Sequence, residues 1–187
     1  ATRLPADSRD RSVIGDILAR LDSLNNIVQD LLLFARPRAP RADKVALGSL
    51  IEGTIDLLKK DPNFARMEVN VHGGDPVIEG DVEQLQTVFM NLLINAAQAS
   101  GGTGRLEISL ASSDGHCDVT VRDHGPGIPP DVRERIFEPF FTTKHRGTGL
   151  GLPTAKRVIE LHKGTIEVTT PPDGGTLVRV SLPIERR

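Results

Sequence analysis

The sequence predicts an α/β fold, a two-layer sandwich in which a mixed, mostly antiparallel sheet is covered by helices on one face. Three observations point there. Runs that alternate apolar and polar residues, such as Cys117-Asp-Val-Thr-Val-Arg-Asp123, read as half-buried strands. They are interleaved with three long helical patterns of three- and four-residue spacing. Turns rich in glycine and proline separate them, and no internal repeat or low-complexity tract interrupts the order.

The 187 residues fit one domain plus an appendage, and a hydrophobic content of 38% is enough for a core. A net charge of -2 leaves no basic footprint, which argues against nucleic acid as a partner. The single Cys117 excludes an intramolecular disulfide framework and suits a reducing compartment. No apolar run approaches the ~20 residues of a membrane span. No signal peptide is visible either. A cytoplasmic location without membrane contact is therefore expected.

Residues 1–9 read as a disordered or partly helical lead. From Asp10 to Ala35, Ile14, Ile17, Leu21, Leu24, Val28 and Leu31 recur at three and four, which is a heptad seam. Ile27, Leu32 and Phe34 widen the apolar face, so residues 1–36 are expected to be one helix of a bundle, able to form a homodimer. Pro37 and Pro40 cut it off. Residues 37–44 form a stiff basic linker, read as a solvated hinge. The third unit is 45–187. It opens with a short strand at Val45-Ala-Leu47 and a helix from Gly48 to Lys60. Strands follow at Met67–Val71 and Pro76–Glu79. Asp81 caps a long helix running to about Ser100, with Gln84 as its capping-box partner. Arg105–Leu110 and His116–Arg122 make a strand pair. A helix at Pro153–His162 precedes strands near Thr165–Thr170 and Thr176–Leu182.

Four clusters carry chemistry. Asn91 and Asn95 lie one turn apart on one face of the long helix, and neutral amide oxygens suit Mg²⁺, which takes phosphate oxygens and water besides. Asp123 ends a strand just before Gly125-Pro-Gly127. A carboxylate there can accept a hydrogen bond from the exocyclic amine of a base, and glycines let the backbone pass a flat ring. The segment Phe137-Glu-Pro-Phe-Phe-Thr-Thr-Lys144 holds Phe137, Phe140 and Phe141, half of the six Phe in a chain without Trp or Tyr. It reads as a lid, with Thr142, Thr143, Lys144 and Arg146 as phosphate donors. Gly147-Thr-Gly-Leu-Gly-Leu152 runs into a helix, as anion sites do. It matches neither the Walker loop nor the dinucleotide fingerprint. Each cluster alone also has a plain reading: two surface Asn, a turn, a satellite core under a loop, a glycine-rich connection.

In this order and at these separations, the clusters resemble the N, first glycine, F and second glycine boxes of sensor histidine kinases. More broadly they resemble the Bergerat-fold (GHKL) ATPases, with gyrase and MutL. The resemblance runs from about Val45 to Pro183. It implies ATP and Mg²⁺ as ligands. Asn95 would coordinate the metal, and Asn91 would support the phosphates through the metal shell. Asp123 would receive the adenine amine, and Gly125, Gly127 and Ile128 would shape the adenine wall. The lid would bring Phe137, Phe141, Thr142, Thr143 and Lys144 to the nucleotide. Gly147, Thr148, Gly149, Leu150, Gly151 and Leu152 would wrap the phosphates. Thr176 matches a threonine that reaches adenine through water. Gln98 departs from the basic residue many members have, which passes the γ-phosphate contact to Lys144 or Arg146. Asn91 and Lys144 are the implied catalytic residues.

Hydrolytic members place a Glu one turn before the metal Asn, where this chain has Asn91, which is no base. The implied activity is therefore transfer of the ATP γ-phosphoryl to a histidine, with relay to the aspartate of a response-regulator receiver domain. None of His72, His116, His124, His145 and His162 is followed by Glu or Asp. The acceptor is expected on a histidine-bearing helix of the parent kinase, outside this chain, so the chain alone should be inactive in transfer. Three rivals share the pocket: an ATP-hydrolysing relative, a nucleotide-bound interaction module, and a serine kinase acting on anti-sigma antagonists.

Overall fold

The computed structural model describes residues 13–15, 17, 21, 28, 31, 38–62, 64–144 and 147–184. Most of the expected bundle helix lies outside them. The described positions there, including the seam residues Ile14, Ile17, Leu21, Val28 and Leu31, are helical and exposed. Leu24 lies outside the described residues.

The third unit runs β1 (Asp43–Ala46), α1 (Leu47–Leu58), β2 (Met67–Gly73), β3 (Val77–Gly80), α2 (Val82–Ala99), β4 (Gly104–Ser113), β5 (His116–Asp123), α3 (Pro130–Arg133), α4 (Gly151–Leu161), β6 (Thr165–Thr169) and β7 (Leu177–Pro183). Five strands form one sheet in the order β2-β4-β5-β7-β6. Only β2 and β4 are parallel; the other neighbours run antiparallel. The expected single sheet is in fact two, because β1 pairs with β3 in a separate ribbon, Val45 opposite Ile78. The one-turn α3, between the first glycine turn and the lid, was not expected from the sequence.

Alternation decides which face is buried. Cys117, Val119 and Val121 on β5, Leu106, Ile108 and Leu110 on β4, and Val180 and Leu182 on β7 are buried on one side. Against them pack Ile51 and Ile55 of α1, Leu85, Phe89 and Leu92 of α2, and Val158 and Ile159 of α4. Among the described residues, Phe89 is the largest fully buried side chain. Truncating it to Ala would cost about 3–5 kcal/mol. Burial pushes the Cys117 thiol up to about 11, helped by the Asp118 charge, so it stays protonated and serves packing.

Two helix starts are fixed from a distance. The N–H groups of Gly48 and Ser49 donate to Asp75 Oδ1 at 2.7 and 3.2 Å, and Ser49 Oγ donates to Asp75 Oδ2. Asp75 thus caps α1 from the β2–β3 connection. At α2, Asp81 Oδ1 accepts from the Gln84 N–H at 3.1 Å, as a capping box requires. The reciprocal half is missing: Gln84 Nε2 donates to the Arg38 carbonyl, and the Asp81 N–H donates to His162 Nε2 at 3.0 Å. His162 is buried and its Nδ1 lies 2.8 Å from the Val158 carbonyl, which assigns the proton to Nδ1.

The basic linker is docked where its described residues lie. Arg38 Nη2 reaches both Asp81 and Glu83, and the Arg41 N–H donates to Asp81 Oδ2. Burial would raise the Asp81 pKa, but the N–H groups of Arg41 and Gln84 and the charges of Arg38 and Arg41 together hold it below the usual range.

Candidate nucleotide site

A cavity of ≈ 700 Å³ lies between α2, the ends of β5, β6 and β7, and the segment from α3 to the start of α4. That volume suits a drug-sized or nucleotide-sized ligand. Among the described lining residues, Asp123 is the one acid and Lys144 the one cation.

The sheet side is held by backbone pairing. Register carries β5 alongside β7 up to Arg122 opposite Leu177. The next residues continue the ladder, since the Asp123 N–H donates to the Thr176 carbonyl at 3.0 Å. Asp123 is 4% exposed. Its Oδ1 accepts from the N–H groups of Gly125 at 2.9 Å and Thr176 at 3.1 Å, which fixes the carboxylate plane. Oδ2 takes no hydrogen bond from the described residues. Gly175 permits this closure: its φ is +76°, and a Cβ there would stand 2.0 Å from the Asp123 carbonyl oxygen. The first glycine turn is pinned to the end of β6, because the Ile128 N–H donates to Thr170 Oγ1 and that hydroxyl donates to the Ile128 carbonyl. Val121, Ile128, Val168 and Val178 give this side apolar walls.

The helix and lid side is held by side chains. Asn91 and Asn95 both line the cavity, half-buried on one face of α2. Asn91 Nδ2 donates to the Gly151 carbonyl across 3.4 Å, a weak tie between α2 and the start of α4. The first turn of α4 has no side-chain cap, so its N–H groups stay open to an anion. Lys144 Nζ donates to Asn95 Oδ1 and Gln98 Oε1, both at 2.6 Å. Lys144 is exposed as a residue, yet burial of its ammonium lowers its pKa below the ordinary lysine value. Phe141 lines the cavity with its ring under Arg135, 4.2 Å from the guanidinium.

Of the residues expected at the site, the cavity brings together Asn91, Asn95, Asp123, Gly127, Ile128, Phe141, Thr142, Thr143, Lys144, Gly147, Thr148, Gly149, Gly151, Leu152 and Thr176. Gly125, Phe137 and Leu150 are not in its lining. Gly125 sits behind, bonded to Asp123; Phe137 lies 5.1 Å from the Lys156 ammonium; Leu150 is buried in the body of the domain. His145 and Arg146 lie outside the described residues. The sequence reading did not anticipate Gln98 as a lid partner, Thr170, or the apolar wall from Val132, Ile136, Val168 and Val178. The strand positions carried a signal, since Val178 near the start of β7 pairs with Val121, two residues before Asp123, and with Val168 near the end of β6. Thr170 carried none.

Among the described residues no group of three His, Cys, Asp or Glu gathers to hold a metal. The donors near Lys144 are neutral amides. Such a set fits Mg²⁺, which keeps several waters and shares phosphate oxygens, better than metals that need thiolate or imidazole. The Asn95 amide oxygen accepts from the Lys144 ammonium, so it points into the cavity.

A family model described as histidine kinase-, DNA gyrase B- and HSP90-like ATPase matches residues 80–186. The solved mycobacterial sensor histidine kinase MprB superposes with a TM-score of 0.70 at 31% identity, covering 76% of this chain and 97% of that one. This chain belongs to the sensor histidine kinase family. Among family members, the signal transduction histidine-protein kinase AtoS of Escherichia coli strain K12 is 37% identical over 171 residues, 90% of this chain and 28% of that protein. The chain thus spans less than a third of that relative. Histidine kinase ThkA, solved in complex with the response regulator protein TrrA, matches with a TM-score of 0.78 at 26% identity over 97% of this chain and 53% of that one. Among the described residues no helix is long and apolar enough to cross a membrane.

Proposed function

We propose that the chain is the ATP-binding catalytic part of a sensor histidine kinase. It transfers the γ-phosphoryl of ATP to a histidine outside these residues, for relay to a response-regulator aspartate. The observation that carries this reading is the buried Asp123. Its Oδ1 is locked by two N–H groups, and it shares a cavity with Asn95 and Lys144. Asp123 receives the exocyclic amine of adenine, while the apolar walls sandwich the ring. The open N–H groups of the α4 start and the lid Thr142 and Thr143 take phosphate oxygens. Asn95 would hold Mg²⁺ through its amide oxygen and Asn91 would support the phosphates through the metal's water shell, and the ion would supply positive charge beside the phosphoryl oxygens. Lys144 supplies a positive charge to the same oxygens.

Asn91 favours transfer over hydrolysis. An amide cannot accept a proton from water, and here it is turned to the Gly151 carbonyl. Catalysis by the chain is therefore positioning and charge neutralisation, with the nucleophile delivered from elsewhere. The exposed seam of Ile14, Ile17, Leu21, Val28 and Leu31 suits packing against the histidine-bearing helix or a second copy. A cytoplasmic location follows from this reading.

The test is phosphotransfer in trans. The chain is mixed with Mg-ATP and a hairpin from its parent protein that carries the candidate histidine, and acid-labile phosphohistidine is measured. The proposal expects label on the hairpin and little free phosphate without it. Sustained phosphate release without the hairpin would support the hydrolytic rival instead. Binding with neither product would support an interaction module.

A further inference from the structure

We propose that Arg122 and Asp173 are positioning residues for base recognition: their ion pair holds the 171–175 turn from one face of the sheet and so keeps the Thr176 N–H on Asp123. This inference rests on the reading of Asp123 as the acceptor for an adenine amine.

Arg122 and Asp123 are neighbours at the end of β5 and point to opposite faces of the sheet. Each reaches the same turn. On the helix-covered face, Asp123 Oδ1 accepts from the Thr176 N–H at 3.1 Å. On the other face, Arg122 Nη2 donates to Asp173 Oδ2, three residues earlier in the turn. The two partners are unequal: the Arg122 side chain is 24% exposed and that of Asp173 is 69% exposed. The arginine is therefore anchored on the sheet, and it holds the more exposed turn. Glu107 lies opposite Arg122 on β4, but its carboxylate is 3.3 Å from Arg105 and 3.6 Å from His124, which leaves the guanidinium to Asp173. The bond from Arg122, above all, holds the Asp173 carboxyl below its ordinary pKa, so both partners are charged near neutral pH.

The turn gains from an outside hold. The Gly174 N–H donates to the Pro171 carbonyl at 3.0 Å, and Gly174 and Gly175 have φ of +91° and +76°. Two consecutive glycines leave this backbone free to swing. With the ion pair removed, the Asp123 N–H still holds the Thr176 carbonyl, so the strands stay paired while the Thr176 N–H can tilt away from Oδ1. Asp123 would then keep one N–H donor, that of Gly125, and its carboxylate could turn. The loss falls on one property. Adenine offers an amine to the carboxylate, whereas hypoxanthine offers a carbonyl oxygen, which a carboxylate repels. A fixed carboxylate separates these bases better than a turning one. Phosphate contacts are common to both nucleotides, so the ratio of their affinities isolates Asp123.

The test lets ATP and inosine triphosphate compete with a fluorescent ATP analogue for the whole chain. Arg122→Met and Asp173→Ala should each lower the preference for ATP at least threefold, through weaker ATP binding and unchanged inosine triphosphate binding. Asp173→Glu, which keeps the carboxylate, should retain the native preference. The second readout is hydrogen exchange of the Thr176 amide, which should speed at least fivefold in Arg122→Met and Asp173→Ala. A native preference in both of these variants overturns the proposal. Equal loss of both nucleotides also overturns it, because the ion pair would then support the whole cavity. If the native chain binds neither nucleotide, or both alike, the reading of Asp123 fails, and Thr176 exchange decides by itself whether the ion pair holds the turn: unchanged exchange overturns that hold.

Discussion

The two sides of the cavity are built by different means. Around Asp123, the groups are placed by a sheet ladder, by backbone N–H donors and by a glycine that admits no side chain. Around Lys144, they are placed by side-chain contacts between a loop and an exposed helix face. The first arrangement is set when the domain folds. The second can open without breaking the core. A site that must recognise one base but admit and release phosphates gains from that division, because specificity needs fixed donors and turnover needs movable ones.

The sharpest way to break the contrast is Gly175→Ala. The added methyl meets the Asp123 carbonyl at a positive φ, so the 171–175 hairpin must leave β5. Chemical denaturation should show a loss of about 3 kcal/mol or more, together with loss of adenine-nucleotide binding. Asp81→Ala should cost about 2 kcal/mol, because it removes the cap of the helix that carries Asn91 and Asn95. It should also flatten the acid limb of stability. The folded-state pKa values of Asp81 and Asp75 are lowered, the latter chiefly by the Ser49 hydroxyl together with the Ser49 and Gly48 N–H groups. Their stabilisation is therefore present in full above the unfolded value near 3.8 and is lost as pH falls through the lower folded values. Denaturation midpoints from pH 6 down to about pH 2 test this.

On the lid side, Lys144→Met should weaken ATP binding about tenfold, near 1.4 kcal/mol, and leave adenosine binding unchanged. Equal losses for both ligands would mean that Lys144 supports the whole cavity instead of the phosphates. The smallest effect is expected for Thr170→Val. Its two bonds to Ile128 are long, so nucleotide affinity should fall about twofold, a few tenths of a kcal/mol, with Thr170→Ser restoring it.

The same contrast governs what could be read in advance. Sheet, helices and the glycine clusters were legible because their constraints are local: alternation on β5, apolar spacing on α2, and glycine where backbone must pass close. The separate β1–β3 ribbon was not, since Val45 and Ile78 are paired by tertiary register. The docked linker was not legible either, because Arg38 finds Asp81 only after folding, 43 residues away. The half-formed capping box has the same origin, since His162 arrives from the end of α4 to take the Asp81 N–H. Gln98 read as a departure from a family pattern; its bond to Lys144 explains how the lid supplies a cation beside it.

The most direct test of the central claim is titration of a fluorescent ATP analogue into the native chain, Asp123→Ala and Asn95→Ala, each with and without Mg²⁺. Asp123→Ala should lose most binding under both conditions, whereas Asn95→Ala should keep its metal-free affinity and lose the gain that Mg²⁺ brings. If both variants bind like the native chain, or both lose binding alike regardless of Mg²⁺, the cavity is not divided into a base-recognising side and a phosphate–metal side.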